Sequence, residues 1–212
     1  MADLAEIRKE YTLLSLDEKS ILASPFQQFE KWLNEAILAK ALEPNAMTLS
    51  TVSENNRPSA RIVLLKGLTN AGFTFFTNYQ SNKGKDLAQN INCALTFFWP
   101  ELERQVRIEG VAHRISNEES DEYFKTRPYK SQLGAWASPQ SSTIASRGIV
   151  EDRYKSLEMK FNGKEVPRPN QWGGYLTKPL LFEFWQGRPS RLHDRIQYIL
   201  VGEEWRIERL AP

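Results

Sequence analysis

The chain holds one cysteine and two histidines in 212 residues, and these scarcities exclude much chemistry at the outset. A lone Cys93 rules out a disulfide framework or a cysteine-based metal site within one chain. It lies in the apolar run Ile91-Asn92-Cys93-Ala94-Leu95-Thr96-Phe97-Phe98 and reads as a small buried hydrophobe. With only His113 and His193, and no His-x-x-Glu-type pairing, no zinc site is expected. No stretch approaches the roughly 18 consecutive apolar residues of a membrane span, so no membrane partner is expected. The opening Met1-Ala2-Asp3-Leu4-Ala5-Glu6-Ile7-Arg8 carries acid where a signal peptide would be basic, which points to a cytoplasmic protein. An excess of one charge is lacking too. With 28 basic against 26 acidic residues the formal net charge is +2, which makes no general polyanion surface, and nucleic acid is not an expected partner. Any anion site must therefore be local. There is no Gly-x-Ser-x-Gly elbow and no Walker or dinucleotide glycine pattern.

What is present is organised as one helix followed by many short strands. Ser24-Pro25 reads as an N-cap with proline at the first helical position, after which Phe26, Phe29, Trp32, Leu33, Ala36 and Ile37 recur with helical period to about residue 41. The texture then changes to β-type runs at 46–53, 59–66, 72–78, 91–99 and 104–115, five strands in about seventy residues, which implies a barrel or sandwich. In the fifth run Gly110 interrupts the alternation and marks a bulge or a close approach. Ser116-Asn117-Glu118-Glu119 opens a helical stretch, 148–161 reads as another helix, and final strands follow from Leu181, Arg191 and Trp205. The fold class is mainly β with flanking helices. No repeat or linker divides residues 1–212, so a single domain is expected, with an N-terminal helical segment to about residue 41 and a C-terminal region from about residue 170.

Four constellations could carry chemistry, and each has a bland counterpart. Arg191, His193 and Arg195 are two apart, so an extended backbone would put all three on one face. That face would suit an anion or an electron-rich ring, unless it is a solvated strand with Arg191 or Arg195 paired to Asp194 or Glu183. Arg61-Ile62-Val63-Leu64-Leu65-Lys66 is an apolar strand with a cation at each end, the two cations on opposite faces if it is regular. Ser81-Asn82-Lys83-Gly84-Lys85 starts a helix whose N–H groups and lysine could seat a phosphate or could simply be a capped surface turn. Tyr123, Arg127 and Ser131, spaced by four, would share one helical face bent at Pro128 and resemble a phosphomonoester cradle.

Their order along the chain adds to these signals. Arg61 to Lys66, Phe75-Phe76-Thr77-Asn78, Glu103-Arg104-Gln105-Val106, Tyr123-Phe124-x-x-Arg127-Pro128-x-x-Ser131-Gln132-x-Gly134-Ala135, Gln140-Ser141-Ser142, Trp172-Gly173-Gly174, Glu183-Phe184-Trp185-Gln186-Gly187, Arg191-Leu192-His193-Asp194-Arg195 and Glu208-Arg209-Leu210-Ala211-Pro212 together resemble the pyridoxamine 5'-phosphate oxidase family, from about Arg8 to Pro212. The resemblance implies an FMN-binding split β-barrel, a homodimer with active sites at the subunit interface, and a dimerisation role for the region from about residue 170. It implies oxidation of pyridoxine 5'-phosphate or pyridoxamine 5'-phosphate to pyridoxal 5'-phosphate in vitamin B6 salvage, with O2 reduced to hydrogen peroxide and ammonia released from the amine.

Carried over by position, Arg61, Ile62, Val63, Leu64, Leu65, Lys66, Phe76, Thr77, Asn82, Lys83, Gln105, Gln140, Ser141, Trp185 and Arg195 would line the FMN site. Lys66, Tyr123, Arg127 and Ser131 would hold the substrate phosphate, and Arg8, Tyr11, Arg191, Leu192 and His193 would surround its ring, with Arg191 and His193 as the catalytic pair. Asn82 departs from the resemblance, standing where the family commonly carries Arg, which implies one charge fewer on the FMN phosphate. The alternatives are a flavin-dependent reductase of another small molecule and a non-catalytic carrier of FMN or pyridoxal phosphate.

Overall fold

The computed structural model describes residues 3–6 and 9–212. Helix α1 (Pro25–Leu38) starts where the cap residues put it, with the Ser24 side chain accepting from the Gln27 N–H. Its apolar stripe turns inward. Phe29 meets Phe73 and Phe97 at ring separations of 4.8 Å, and Trp32 meets Phe184 at 5.2 Å, so the helix fills the concave side of the sheet.

That sheet has nine antiparallel strands: β1 (Ala46–Val52), β2 (Pro58–Leu64), β3 (Gly67–Thr69), β4 (Gly72–Asn78), β5 (Asn92–Trp99), β6 (Arg104–Arg114), β7 (Trp172–Gln186), β8 (Asp194–Val201) and β9 (Glu204–Leu210). The five runs expected between residues 46 and 115 all form strands, with a short β3 added. The order β2-β1-β5-β6-β7-β4-β3 is a curled path, and β8 and β9 branch from it. The branch point is β7. One edge pairs with β6 along its length, while the other pairs with β4 over 172–177 and with β8 over 181–186. The sheet is therefore split between two neighbours at Lys178-Pro179-Leu180. Proline has no N–H to offer a ladder, which suits a gap between partners. Here too β6 slips register between Glu109 and Gly110, and a Cβ at Gly110 would stand 2.2 Å from the Lys178 carbonyl oxygen.

Helices α2 (Asn82–Gln89), α3 (Asn117–Thr126), α4 (Tyr129–Ala137) and α5 (Gly148–Phe161) flank the sheet. A reciprocal capping box of Ser116 and Glu119 opens α3. The bent helix expected through Pro128 is instead two helices. Arg127 is extended (φ −71°, ψ 147°), because a residue before proline is driven out of the α region, and Pro128 caps α4. Phe124, Leu133, Val166 and Trp172 form a second small core beneath this corner. No helix among the described residues is long and apolar enough to cross a membrane.

Candidate functional site

The residues singled out from sequence gather at the two ends of β7. At the Trp172 end, a cleft of about 610 Å³ is lined by Ile62, Val63, Leu64, Lys66, Phe76, Thr77, Lys83, Tyr123, Arg127, Ser131 and Gln140, together with Asn78, Thr126, Pro128 and Trp172. It is a cation-rich cleft, and among its described lining residues there is no carboxylate. Although α3 and α4 are separate helices, their corner still brings Tyr123, Arg127 and Ser131 to one wall. Buried Gln132 holds that corner, its side-chain amide donating to the carbonyls of Phe124, Lys125 and Arg127 at 3.0 to 3.3 Å. The Arg127 guanidinium lies over the Trp172 ring at 4.5 Å, and Trp172 stacks with Phe76, which stacks in turn with Tyr123 at 3.8 Å.

Among the described residues the Arg127 Nη1 is buried with no hydrogen-bond partner. Burial pulls this guanidinium below its ordinary pKa, opposed by Tyr123. Such a group is costly unless an anion meets it. Lys83 repeats the pattern. It is buried, its Nζ reaches only the Ser81 hydroxyl among the described residues, at 3.5 Å, and burial and then Arg61 push its pKa down.

The remaining residues of this group divide. Arg61 donates to Thr51 Oγ1 at 2.7 Å and to the Leu49 carbonyl, with Asp86 at 3.9 Å. Ile62 is 65% exposed on the outer face of the end strand β2 and offers an apolar wall, whereas Leu65 turns into the hydrophobic core and presents only its backbone. Lys66 follows the end of β2, so its direction is set by the turn rather than by strand alternation. Thr77 donates to Gln140 Oε1 at 3.4 Å. Ser141 adopts a left-handed φ of 69°. Asn82 and Ser141 are exposed outside the cleft lining. A phosphate monoester attached to a flat ring fits this donor set: cations for the phosphate, and apolar strand and stacked aromatics for the ring.

At the Trp185 end lies a second cavity of about 790 Å³, lined by Lys9, Glu10, Tyr11, Arg188, Ser190, Arg191 and His193. The expected strand face of Arg191, His193 and Arg195 is not formed. Pro189–Arg191 is a 3-10 turn with left-handed φ at Ser190 (56°) and Arg191 (61°), and β8 begins only at Asp194. Proline starts the turn, and the left-handed pair reverses the chain before it can extend. Arg191 and Leu192 are left exposed. His193 Nδ1 accepts from the Arg188 N–H at 3.1 Å, so the neutral ring carries its proton on Nε2. Its pKa is lowered by burial first and by Arg191 second, and its ring lies 4.6 Å from that of Trp185.

Arg195 parts from the other two. It donates to Glu183 at 2.8 Å and to the Ala211 carbonyl, while Arg107 reaches the other Glu183 oxygen at 2.6 Å. Gln105 lies opposite Trp185 across the β6–β7 ladder. Asp194 accepts from the Leu16 N–H and pairs with Arg209, a structural task. Arg8 lies outside the described residues.

Sequence reasoning missed Trp172 as a shelf for Arg127 and Gln132 as the corner's tie, whereas the pairing of Arg195 with Glu183 is the bland alternative the sequence offered for that segment. A tryptophan before two glycines was visible as a motif, but its role depends on Arg127 folding over it.

The family described as Pyridoxamine 5'-phosphate oxidase matches residues 33–161, and the one described as Pyridoxine 5'-phosphate oxidase C-terminal dimerisation region matches 172–212. A curated relative from Cytophaga hutchinsonii, named Pyridoxine/pyridoxamine 5'-phosphate oxidase, is 56% identical over 212 residues, covering 99% of each chain. The structure of PhzG from Burkholderia lata 383, solved with tetrahydrophenazine-1-carboxylic acid, superposes with a TM-score of 0.90 at 27% identity over 96% of this chain and 100% of that one. A pyridoxamine 5'-phosphate oxidase-related, FMN-binding protein from Nostoc punctiforme shares the split-barrel fold, with a TM-score of 0.70 at 17% identity over 91% of this chain and 100% of that one.

Proposed function

Because the chain belongs to the pyridoxamine 5'-phosphate oxidase family, we propose that it oxidises pyridoxine 5'-phosphate or pyridoxamine 5'-phosphate to pyridoxal 5'-phosphate, using FMN and O2 and releasing hydrogen peroxide; with the amine, water is consumed and ammonia released. The observation that carries this reading is the buried, unpartnered Nη1 of Arg127 in a cation-rich cleft beside Tyr123, Ser131 and Lys66. A substrate phosphate gives that donor its acceptor. Arg61, Lys83 and the outer face of β2 hold the cofactor's phosphate and ring, with Thr77 and Gln140 at its polar edge. Bound FMN supplies the two-electron acceptor that O2 then reoxidises.

At the other cavity Arg191 lays a permanent cation against the substrate ring, and His193 offers an Nε2–H donor to the hydroxyl oxygen attached to that ring. Tyr11 closes the wall. Trp172 and Trp185 are separated by roughly 40 Å of strand contour at about 3.3 Å per residue. One small substrate cannot reach both ends of a strand in a single copy. A homodimer with half-sites contributed by two copies resolves this, and the description of residues 172–212 as a dimerisation region supports it. In such a dimer Trp185, Gln105 and Arg195 of one protomer face the cofactor held by its partner.

The direct test is the visible spectrum of the purified protein, followed by addition of pyridoxine 5'-phosphate under air. Bound flavin with equimolar pyridoxal phosphate and peroxide is expected. Flavin without product would make the protein a carrier and sink the oxidase reading.

A further inference from the structure

Residues 9–22 form neither helix nor strand, yet they are fastened to the barrel at several points: residues 14–22 by Arg188, Asp194, Arg209, Gln28 and Tyr198, and residues 9–13 by one buried carboxylate. The N–H groups of Thr12 and Leu13 both donate to Glu103 Oε2, at 2.9 and 3.1 Å, and Lys9 Nζ lies 3.4 Å from Oε1. Glu103 is 2% exposed and sits at a left-handed φ of 55° in the β5–β6 turn. Its own carbonyl accepts from the Gly187 N–H at 2.8 Å. One residue thus ties the N-terminal strap, through its carboxylate, to the end of β7, through its backbone. Between the two ties lies Tyr11. Its ring passes so close to Gly187 that a Cβ there would stand 2.6 Å from Tyr11 Cγ, and it meets Trp185 edge-on at 5.7 Å. A carboxylate this buried is destabilising unless its donors stay in place, so the strap and the carboxylate hold each other.

We propose that Glu103 is a positioning residue for the ring-binding cavity: it fixes residues 9–13 so that Tyr11 forms the cavity wall opposite Arg191 and His193. The inference rests on the function proposed above. It separates the strap from the phosphate end of β7, where Glu103 makes no contact with the cleft.

The test uses the full-length, FMN-loaded protein. Glu103→Ala is expected to raise KM for pyridoxine 5'-phosphate about tenfold, the scale of one charge-assisted hydrogen bond, with kcat and the FMN dissociation constant within about twofold. Tyr11→Ala should give a similar rise, and the double variant should be no worse than Tyr11→Ala alone. Glu103→Gln keeps an acceptor oxygen and should restore most of the loss; it carries the same cycle if the alanine variant does not fold. Additive effects, or FMN affinity falling in step with KM, would overturn the proposal. Trypsin cleavage after Lys9 and Lys19 without substrate distinguishes the two readings. Faster cleavage in the Glu103 variants supports the latch even if the parent proves inactive, and unchanged cleavage sinks it even if the parent is a good oxidase.

Discussion

The two ends of β7 are built by opposite means. At the Trp172 end, the candidate side chains stand on α3, α4, β2 and β4, and their directions follow from capped helices, stacked rings and one buried glutamine. At the Trp185 end they stand on a turn with two left-handed residues and on a strap without regular structure, both held by carboxylates. The first end is rigid by packing and carries an unmet charge. The second has its buried carboxylates Glu103 and Glu183 paired and depends on a few charged ties. A phosphate is common to both proposed substrates and to FMN and suits a seat built on helices and strands, while the ring, where the proposed chemistry takes place, meets a turn and a strap without regular structure.

The sharpest way to break this contrast is at Arg127. Arg127→Met should lower kcat/KM for phosphorylated substrate about 100-fold, mostly through KM, because charge-assisted contacts to phosphate are lost. The same change should leave the melting temperature equal or higher, since it removes a half-buried cation whose Nη1 lacks a hydrogen-bond partner and keeps an apolar chain over the Trp172 ring. A fall in melting temperature would mean that the guanidinium is structural.

Arg191→Met addresses the other end. Flavin reduction in single-turnover mixing should slow by about 30-fold, near 2 kcal/mol, while FMN affinity stays unchanged. Equal rates would remove Arg191 from the chemistry.

An effect on stability rather than on rate tests the carboxylate ties. Burial alone would raise the Glu183 carboxyl, but hydrogen bonds from Arg195 and Arg107 outweigh it and hold it below its ordinary 4.5. A depressed native value stabilises the fold above the unfolded-state pKa, and that stabilisation disappears as pH falls through the native one. Glu183→Gln should therefore flatten the acid limb of the stability curve below about pH 5, in urea titrations followed by fluorescence, at a cost of roughly 3 kcal/mol near neutrality. An unchanged limb would mean that the bridge is not formed in solution.

Least of all should be Gly187→Ala, which pushes the Tyr11 ring away. A rise in KM of about fivefold, near 1 kcal/mol, with no change in FMN binding is expected. A larger loss of flavin would blur the distinction between the ends.

The same division governs what could be read from sequence. The strands between residues 46 and 115, the Ser24-Pro25 helix start, the helix at 148–161 and the irregularity at Gly110 follow from local periods, caps and breakers that the fold obeys. Cys93 is buried as its apolar neighbours require, with its thiol raised to about 11 by burial. Local sequence is silent where non-local contacts set direction. The Arg191 to Arg195 spacing promised one face, but a proline-initiated reversal spends Arg191 and Leu192 on a turn. The Tyr123 to Ser131 spacing promised one helix, and the three residues meet only because two helices fold at Pro128. Lys83 and Asn82 are neighbours in sequence, yet one is buried and the other exposed, which the cap at Ser81 decides.

The latch at Glu103 grips main-chain amides, and the side chains of Thr12 and Leu13 are exposed. Every amino acid except proline brings that same N–H, so these two positions are free to drift over generations while the strap keeps its place. A segment can thus be anchored in space and anonymous in sequence, with the burden of inheritance falling on a glutamate ninety positions downstream. A proline at either strap position is the change such drift should avoid.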